Sequence, residues 1–276
     1  MLNNINYHSP EMNRKYISVS QYKNFMGTIG RLACEEQAMA ILNEKWQTEK
    51  TTSLLVGSYV DAKYEGTLET FIAENPDLFT QKKELRAEYK KANEIIARCE
   101  RDELFTSYMS GEKQVIMTAE MFGANWKIKI DSYHPNVAIV DLKVMESLNK
   151  HFWTKDYGYM NFVHVWGYYI QGAVYREVVY LNDLAKCKTQ AERDSCKRLP
   201  FYLATVSKEK EPDIEIIQLE PNLLDEVIRE VEQNTPKILM LKNGEVEPIR
   251  CGICDWCKHT KVLTRPIWSS ELLGEI

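Results

Sequence analysis

The sequence contains no run of eighteen apolar residues and no apolar stretch near its start, and both absences restrict the class of protein. A membrane-spanning helix needs about 20 mainly apolar residues, so none is expected. Met1–Tyr16 is polar and lacks the apolar core of a signal peptide. Internal repeats and low-complexity segments are not found either. We therefore expect a globular intracellular protein.

The chain also lacks an excess of positive charge. It has 35 Lys and Arg residues against 40 Asp and Glu, giving a formal net charge of −5. Many nucleic-acid-binding domains are basic, so this balance argues against such a partner. Affinity for phosphates depends on local positive surface, however, and acidic residues collect at metal sites. The net charge therefore does not exclude nucleic-acid binding.

Seven cysteines are present, and some have the spacing of metal ligands. This usage is typical of a reducing cytoplasm and not of a disulfide framework. A chain of 276 residues can bury a large core in one domain. We expect one domain over residues 1–276, with a helical elaboration at the N-terminus and a cysteine-rich segment at about 245–262.

The most informative motif joins two aspartates and a lysine. Trp126–Asp131 and Val137–Val144 are predicted as antiparallel strands joined by a turn. Side chains alternate along a strand, so Asp141 and Lys143 point the same way, and Asp131 ends the neighbouring strand close to them. Two carboxylates can hold Mg²⁺, and a lysine can orient a water or stabilise phosphate charge. The alternative is an exposed strand of alternating charge.

This Asp-x9-Asp-x-Lys pattern resembles the core of the PD-(D/E)XK nucleases, with the spacing of RecE-like and RecB-like recombination exonucleases. The resemblance implies an α/β fold with a restriction-endonuclease-like core, in which helices flank a central mixed sheet. It also implies that Asp131 and Asp141 hold Mg²⁺ or Mn²⁺ and that Lys143 positions water and phosphate. Glu120, near the end of the preceding strand, is expected to be a further metal ligand or a neighbouring acid.

The segment around Asp61 matches a second element of these nucleases. RecB-like enzymes have a G-x-x-x-H helix whose histidine binds metal, and here Gly57–Asp61 places an aspartate at the histidine position. The resemblance thus implies a third, hard oxygen ligand that favours Mg²⁺. Glu65 follows one turn later on the same helix face. The alternative is that Asp61 is an acid on the helix surface.

A third element is the Q-x-x-x-Y pair formed by Gln171 and Tyr175. It lies in the aromatic-rich run Tyr157–Tyr180, which is predicted as a helix. Residues four apart share a helix face, so both side chains can line one groove. The resemblance implies that they help to place a DNA strand beside the active site. The alternative for Tyr175 is a packing role.

Three cysteines near the C-terminus, Cys251, Cys254 and Cys257, form C-x2-C-x2-C. They can hold zinc or an iron–sulfur cluster, and both need four ligands; His259 is close enough in sequence to be the fourth. The chain also resembles RecB-like nucleases with iron–sulfur clusters, among them AddB and CRISPR-associated adaptation nucleases. That resemblance gives Cys34 the fourth position of a [4Fe–4S] cluster. Zinc and free thiols remain alternatives.

The remaining pattern is an alternation of helices and strands. It predicts helices over Gln21–Trp46 and Lys82–Glu103, and one or two helices over Thr51–Glu74 with a break near Gly66. It also predicts strands over Gln114–Glu120, Phe201–Ser207 and Ile214–Leu219, and a last helix from Pro221 to about Gln233.

The resemblance implies a Mg²⁺-dependent DNA exonuclease that hydrolyses phosphodiester bonds. It would resect linear duplex DNA from the 5′ strand end in phage-type recombination, with a single-strand annealing protein as partner and a ring-like homo-oligomer as assembly. Two other functions stay open. One is a single-strand trimming enzyme or endonuclease of the iron–sulfur group, and the other is a non-enzymatic, zinc-containing nucleic-acid-binding protein.

Overall fold

The computed structural model describes residues 2–48, 51–82 and 84–273. Its strands are β1 (Glu112–Met121), β2 (Ala124–His134), β3 (Ala138–Met145), β4 (His151–Thr154), β5 (Gly158–Asn161), β6 (Phe201–Ser207) and β7 (Ile214–Gln218). The central sheet has the order β1-β2-β3-β6-β7. Only β3 and β6 are parallel in it, and the other neighbours are antiparallel. β4 and β5 form a separate hairpin.

Helices cover both faces of this sheet. They are α1 (Pro10–Lys15), α2 (Val19–Met26), α3 (Glu35–Leu42), α4 (Thr52–Glu65), α5 (Leu68–Glu74), α6 (Ala87–Glu100), α7 (Glu103–Tyr108), α8 (Phe162–Val165), α9 (Tyr168–Lys186), α10 (Gln190–Ser195), α11 (Pro221–Asn243) and α12 (Asp255–His259). Short 3₁₀ turns lie at Pro76–Leu78 and Ser269–Leu273. A mixed central sheet flanked by helices confirms the predicted fold class.

Consecutive residues of β3 enter two different cores. Ile139 packs with Trp126 and the helices α2, α9 and α11, whereas Val140 packs with Val60 of α4 and Ile95 of α6. Alternation along a strand explains the division, because neighbouring side chains point to opposite faces. Both faces are covered, so β3 is apolar along its length except at Asp141 and Lys143.

Several predicted helices have different limits. The prediction of a single helix over Tyr157–Tyr180 was wrong. The run begins with β5, which starts at Gly158 (φ +70°), and Asn161 then caps α8. Gly167, with φ +62°, separates α8 from α9. Gln21–Trp46 is two helices, since α2 ends at Gly27 with φ +78°. The last helix runs on to Asn243, because buried residues on its later turns pack it against neighbouring helices, among them α2, α3 and α9.

A buried lysine, Lys127, and a half-buried one, Lys242, fasten the N-terminal segment to β2 and α11. Lys127 of β2 donates to the Tyr7 carbonyl at 2.5 Å and to Asn13 Oδ1 at 2.8 Å. Lys242 of α11 donates to the carbonyls of Asn13 and Tyr16 at 3.0 and 2.9 Å. The segment is therefore part of the folded unit. None of the described helices combines the length and apolar character that crossing a membrane requires.

Gly172 of α9 marks the closest approach of this helix to the sheet. A Cβ there would lie 3.0–3.1 Å from the side chains of Leu219, Leu224 and Phe201. We expect Gly172→Ala to lower the free energy of unfolding, because overpacking outweighs the gain in helix propensity. Gly57→Ala in α4 is the matched control, since its Cβ would meet only Val144 at 3.9 Å.

Urea denaturation of both variants checks this expectation. Gly57→Ala should raise the free energy of unfolding by about 0.5–1 kcal/mol. The free energy of unfolding of Gly172→Ala should be at least about 1 kcal/mol lower than that of Gly57→Ala. Equal stabilisation by both substitutions would contradict the close packing of α9.

Candidate active site and cysteine cluster

The ladder between β2 and β3 stops where the two aspartates begin. Paired residues run from His134 with Ala138 to Ser132 with Val140, and no pairing continues to Asp131 among the described strands. The Asp131 carboxylate takes the place of the missing backbone partner, because its Oδ2 accepts the Leu142 N–H at 2.9 Å. The strands thus separate at this point and leave room between them for side chains.

A cavity of about 300 Å³ opens at this separation. It is lined by six residues that the sequence predicted for the site: Asp61, Asp131, Asp141, Lys143, Gln171 and Tyr175. Three carboxylates, one ammonium group and two neutral polar groups therefore share one space. The structure brings together residues from α4, β2, β3 and α9.

Helix α4 places Asp61 at this cavity. Thr51 caps the start of the helix by accepting the Leu54 N–H at 3.3 Å, and Gly66 ends it in the left-handed conformation. An ion pair of Lys129 Nζ with Glu65 Oε1 at 3.7 Å fastens the last turn to β2. Asp61 is half-buried and faces the two strand aspartates, so it is not an acid on an open helix surface.

The carboxylates lie in an unfavourable electrostatic environment. Burial, followed by the charge of Asp141, raises the pKa of Asp131 well above its usual range. Burial also raises the pKa of Asp61 to about 7, and the charges of Asp141 and Glu65 add to this. Burial lowers the pKa of Lys143, but Asp141 reverses the effect and leaves that pKa above its usual range. A cation among these oxygens would relieve the repulsion.

Gln171 and Lys143 hold Asp141 from two sides. Gln171 Nε2 donates to Asp141 Oδ1 at 2.6 Å, and the Lys143 ammonium pairs with the other carboxylate oxygen. Asp141 itself is only 2% exposed, so these partners compensate a buried charge. The amide of Gln171 is thereby directed at the aspartate.

Tyr175 is engaged within the protein as well. Its hydroxyl donates to the Lys129 carbonyl at 3.1 Å, and its ring packs edge-on against Phe201 with centroids 5.9 Å apart. The residue lines the cavity but is buried, which fits the packing alternative. It supports β2 next to Asp131.

Glu120 does not belong to this site, and its prediction as a metal ligand or neighbouring acid is wrong. Because β1 and β2 are antiparallel, Glu120 pairs with Asn125 at the hairpin end of the two strands. The β1 residue next to Asp131 is Gln114, whose Nε2 approaches Asp131 Oδ1 at 3.4 Å. Glu120 is exposed and lies six residues further along β1, roughly 20 Å away.

Two functional candidates were missed in the sequence, Lys23 and Tyr168. Lys23 and Lys143 place their Nζ atoms 5.0 and 5.2 Å from the centre of the Tyr168 ring. Burial and the nearby Lys143 lower the pKa of Lys23 to about 7, and its Nζ donates to the Trp166 carbonyl at 2.9 Å. Lys23 shares a face of α2 with Ser20, three residues earlier, and both line the cavity, but no motif in the sequence analysis marks either residue.

Tyr7 and His8 are a second omission. Both line the cavity because the N-terminal segment crosses β2 there. Their rings meet edge-on with centroids 4.9 Å apart. Burial and then the positive charges of Lys129 and Lys127 lower the pKa of His8. No motif surrounds these residues, so only the folded chain identifies them.

The four predicted cysteines meet at a second site. The Sγ atoms of Cys34, Cys251, Cys254 and Cys257 all lie within 4.8 Å of one another. Cys34 precedes α3, and its Sγ is 3.6 Å from that of Cys257. The backbone N–H groups of Cys254 and Cys257 approach the sulfurs of Cys251 and Cys254 at 3.3 and 3.5 Å. This arrangement is typical of thiolates that hold a metal.

The start of α3 fastens the cysteine-rich segment independently of any metal. Glu35 accepts the Ile249 N–H at 3.0 Å and pairs with Lys237 of α11. Arg250 pairs with Glu36 at 2.8 Å and also donates to the Cys257 carbonyl. His259 lies outside the sulfur group, with its ring 5.3 Å from that of Trp46.

Comparisons with known proteins agree with this architecture. Residues 18–260 match a family model described as "PDDEXK-like domain of unknown function (DUF3799)". No curated protein matches the chain. A crystal structure of a protein from Eubacterium rectale, described as "Putative exonuclease", is 54% identical, with a TM-score of 0.92 over 100% of this chain and 99% of that one. The fold, the match to the family model and the 54% identity over the whole chain show that the chain belongs to the PDDEXK-like family.

Proposed function

We propose that this protein is a nuclease, and specifically a Mg²⁺- or Mn²⁺-dependent DNA exonuclease that hydrolyses phosphodiester bonds. The observation that carries the proposal is the shared cavity of three carboxylates and Lys143 at the opening between β2 and β3. The family and the solved relative described as an exonuclease support the same reaction class.

The donor set fits a hard divalent cation. Asp61, Asp131 and Asp141 offer only oxygen atoms, which Mg²⁺ and Mn²⁺ prefer, and their burial and mutual repulsion favour a bound positive charge. These three residues would hold the ion. When bound, it supplies a water of lowered pKa and stabilises charge on the leaving oxygen.

The protein residues supply orientation and further charge. Lys143 lies beside Asp141, and we assign to it the stabilisation of the phosphate and the positioning of the attacking water. Gln171 keeps the Asp141 carboxylate in one orientation, and Tyr175 supports the strand that carries Asp131. We assign both as positioning residues.

The finer assignment follows the resemblance to RecE-like enzymes. Residues 1–276 then form one nuclease domain that resects linear duplex DNA from the 5′ strand end, as in phage-type recombination. The enzyme would act as a homo-oligomer, with a single-strand annealing protein as its partner. Digestion of end-labelled blunt duplex, nicked circles and single strands, with and without Mg²⁺, tests this assignment. Cleavage of nicked circles or of single strands alone would favour the endonuclease or trimming alternatives.

We propose that the four cysteines hold one structural metal group that joins the N-terminal and C-terminal parts of the fold. The resemblance to iron–sulfur RecB-like nucleases implies a [4Fe–4S] cluster. The close sulfur spacing supports a single tetrahedral ion instead, because Zn–S bonds near 2.3 Å place sulfurs about 3.8 Å apart. Metal analysis and the visible absorbance of protein purified without oxygen distinguish the two.

Replacing Lys143 or Asp141 by alanine is expected to reduce Mg²⁺-dependent digestion of linear DNA by at least about 100-fold, because Lys143→Ala removes a positive charge beside the reacting phosphate and Asp141→Ala removes a ligand of the metal ion. Glu120→Ala is the matched control, since that acid is exposed and distant. Initial rates on end-labelled duplex provide the measurement. Wild-type rates for Asp141→Ala would refute the nuclease assignment.

Asp61→Asn is expected to weaken activity sharply at low Mg²⁺ and to recover in part at high Mg²⁺ or with Mn²⁺, because an amide oxygen carries no charge. Asp61→His should retain more activity in Mn²⁺ than in Mg²⁺, since imidazole suits softer metals. A titration of rate against each metal measures both effects, with Glu120→Gln as control. A wild-type curve for Asp61→Asn would show that the residue does not bind the ion.

Cys254→Ser is expected to lower the thermal midpoint and the metal content while the specific activity of the folded fraction changes little. The reason is that binding energy at a site formed only in the folded state contributes to folding. Cys187→Ser, outside the cluster, is the control. Full metal content in Cys254→Ser would exclude this residue as a ligand.

A further inference from the structure

Tyr168 is the first residue of α9 and lies beside Lys143. The centre of its ring is 5.2 Å from Lys143 Nζ, within the range at which an aromatic ring attracts an ammonium group. The residue before it, Gly167, has φ +62°, and a Cβ there would lie 3.0 Å from the side chains of Thr28 and Ile170. The turn between α8 and α9 is therefore closely packed, and it fixes the point from which the Tyr168 side chain extends.

The far end of the Tyr168 side chain is anchored on β3. Its hydroxyl donates to Met145 Sδ at 3.4 Å. Met145 follows Lys143 by two residues on this strand, so the two side chains share one face of the sheet. The half-buried ring is thus held by the start of a helix and by a strand. It lies against the face of β3 that carries Asp141 and Lys143.

Two contacts of different kinds hold Lys143 within the described part of the chain. Its ammonium group pairs with Asp141 Oδ2, and it lies over the Tyr168 ring. Asp141 is also one of the three acids proposed to hold the divalent ion. A cation there weakens the attraction of the carboxylate for Lys143, because two positive groups then share one negative charge. The ring face has no oxygen ligand to offer such an ion, so this contact of Lys143 persists when the metal site is occupied.

A second lysine contacts the same ring. Lys23 Nζ lies 5.0 Å from the ring centre of Tyr168, and both lysines line the catalytic cavity. Lys23 also donates to the Trp166 carbonyl at 2.9 Å. This backbone contact does not involve a proposed metal ligand. Loss of the Tyr168 ring is therefore expected to release Lys143 more than Lys23.

We propose that Tyr168 is a positioning residue for Lys143, and that its ring keeps the ammonium group at the catalytic cavity when the metal site is occupied. The inference rests on the proposed function, because that function assigns Lys143 to the reacting phosphate. It adds a residue that acts through the lysine and binds neither the metal ion nor the phosphate.

Four substitutions separate the ring from the rest of the side chain. Tyr168→Leu and Tyr168→Met both remove the ring and keep an apolar group, so a second variant is at hand if one distorts the start of α9. Tyr168→Phe keeps the ring and removes only the hydroxyl. Tyr180→Leu is the matched control, because Tyr180 is half-buried on the same helix, bears Arg198 at 4.3 Å from its ring centre, and lies outside the cavity lining.

A double-mutant cycle tests whether Tyr168 acts through Lys143. Rates on end-labelled duplex at saturating Mg²⁺ and DNA are measured for Tyr168→Leu, Lys143→Ala and the two combined. We expect kcat of Tyr168→Leu to fall about 5- to 30-fold, as the loss of a partly desolvated cation–π contact implies. Tyr168→Phe and Tyr180→Leu should stay within about 2-fold of the parent protein, and Tyr168→Leu should cost no more than about 2-fold in the Lys143→Ala background.

The accessibility of the Lys143 amine is a readout that needs no turnover. Labelling with an acylating reagent, with and without Mg²⁺, is quantified for the Lys143 peptide by mass spectrometry. In the parent protein, Tyr168→Phe and Tyr180→Leu, the ring covers the amine and labelling should be slow in both conditions. In the two ring-free variants, labelling with Mg²⁺ should be faster by a factor similar to the loss in kcat.

An equal loss from Tyr168→Leu in the parent and in the Lys143→Ala background would overturn the proposal, because Tyr168 would then act independently of the lysine. Unchanged kcat and labelling in both ring-free variants would also overturn it, as would a loss in Tyr168→Phe equal to that in Tyr168→Leu. If the parent protein cleaves no DNA, the proposed function fails and the positioning role fails with it. Cleavage by the parent together with additive losses rejects the role of Tyr168 alone.

Discussion

The structure depends on one interrupted β-ladder. Where β2 and β3 cease to pair, the Asp131 carboxylate accepts the backbone N–H of Leu142 in β3. It thereby replaces the backbone carbonyl that a continued ladder would have supplied. The interruption satisfies the backbone and opens a cavity in the middle of a covered sheet. The same interaction places Asp131 beside Asp141. Lys143 and Gln171 compensate the charge of Asp141. The carboxyl groups of Asp61 and Asp131 in the same cavity would be compensated by a bound cation.

The parts that surround this cavity are held by polar contacts over long sequence separations. Lys127 and Lys242 hold the N-terminal segment over β2, and this segment supplies Tyr7 and His8 to the cavity. Glu35 and the cysteine group hold the C-terminal segment against α3. Buried charges and thiols are costly unless paired, so these contacts specify one arrangement of the chain ends. The cavity wall is thereby built from both halves of the molecule.

On this scaffold, the positive groups form a path from the cavity to the surface. Lys143 lies against the Tyr168 ring, Lys23 lies against the same ring, and Lys23 is bonded to Trp166 beneath the hairpin. A polyanion can follow this path in spite of the net negative charge, because local potential governs its approach.

Local sequence patterns, read together with the family resemblance, predicted the strands that carry the catalytic cavity and most of the residues that line it from the predicted motifs. Alternation predicted β2 and β3, and with the family resemblance the spacing of Asp131, Asp141 and Lys143 predicted their convergence, because the period of a strand is short and regular. The resemblance to iron–sulfur RecB-like nucleases predicted that Cys34 meets the three C-terminal cysteines, and the four sulfurs do lie together. Tertiary structure alone decided which end of β1 faces the site, and Glu120 was misplaced because strand direction reverses at the hairpin. It also decided that Lys23 and Tyr7 line the cavity, since contacts between distant segments follow from packing and not from any local period.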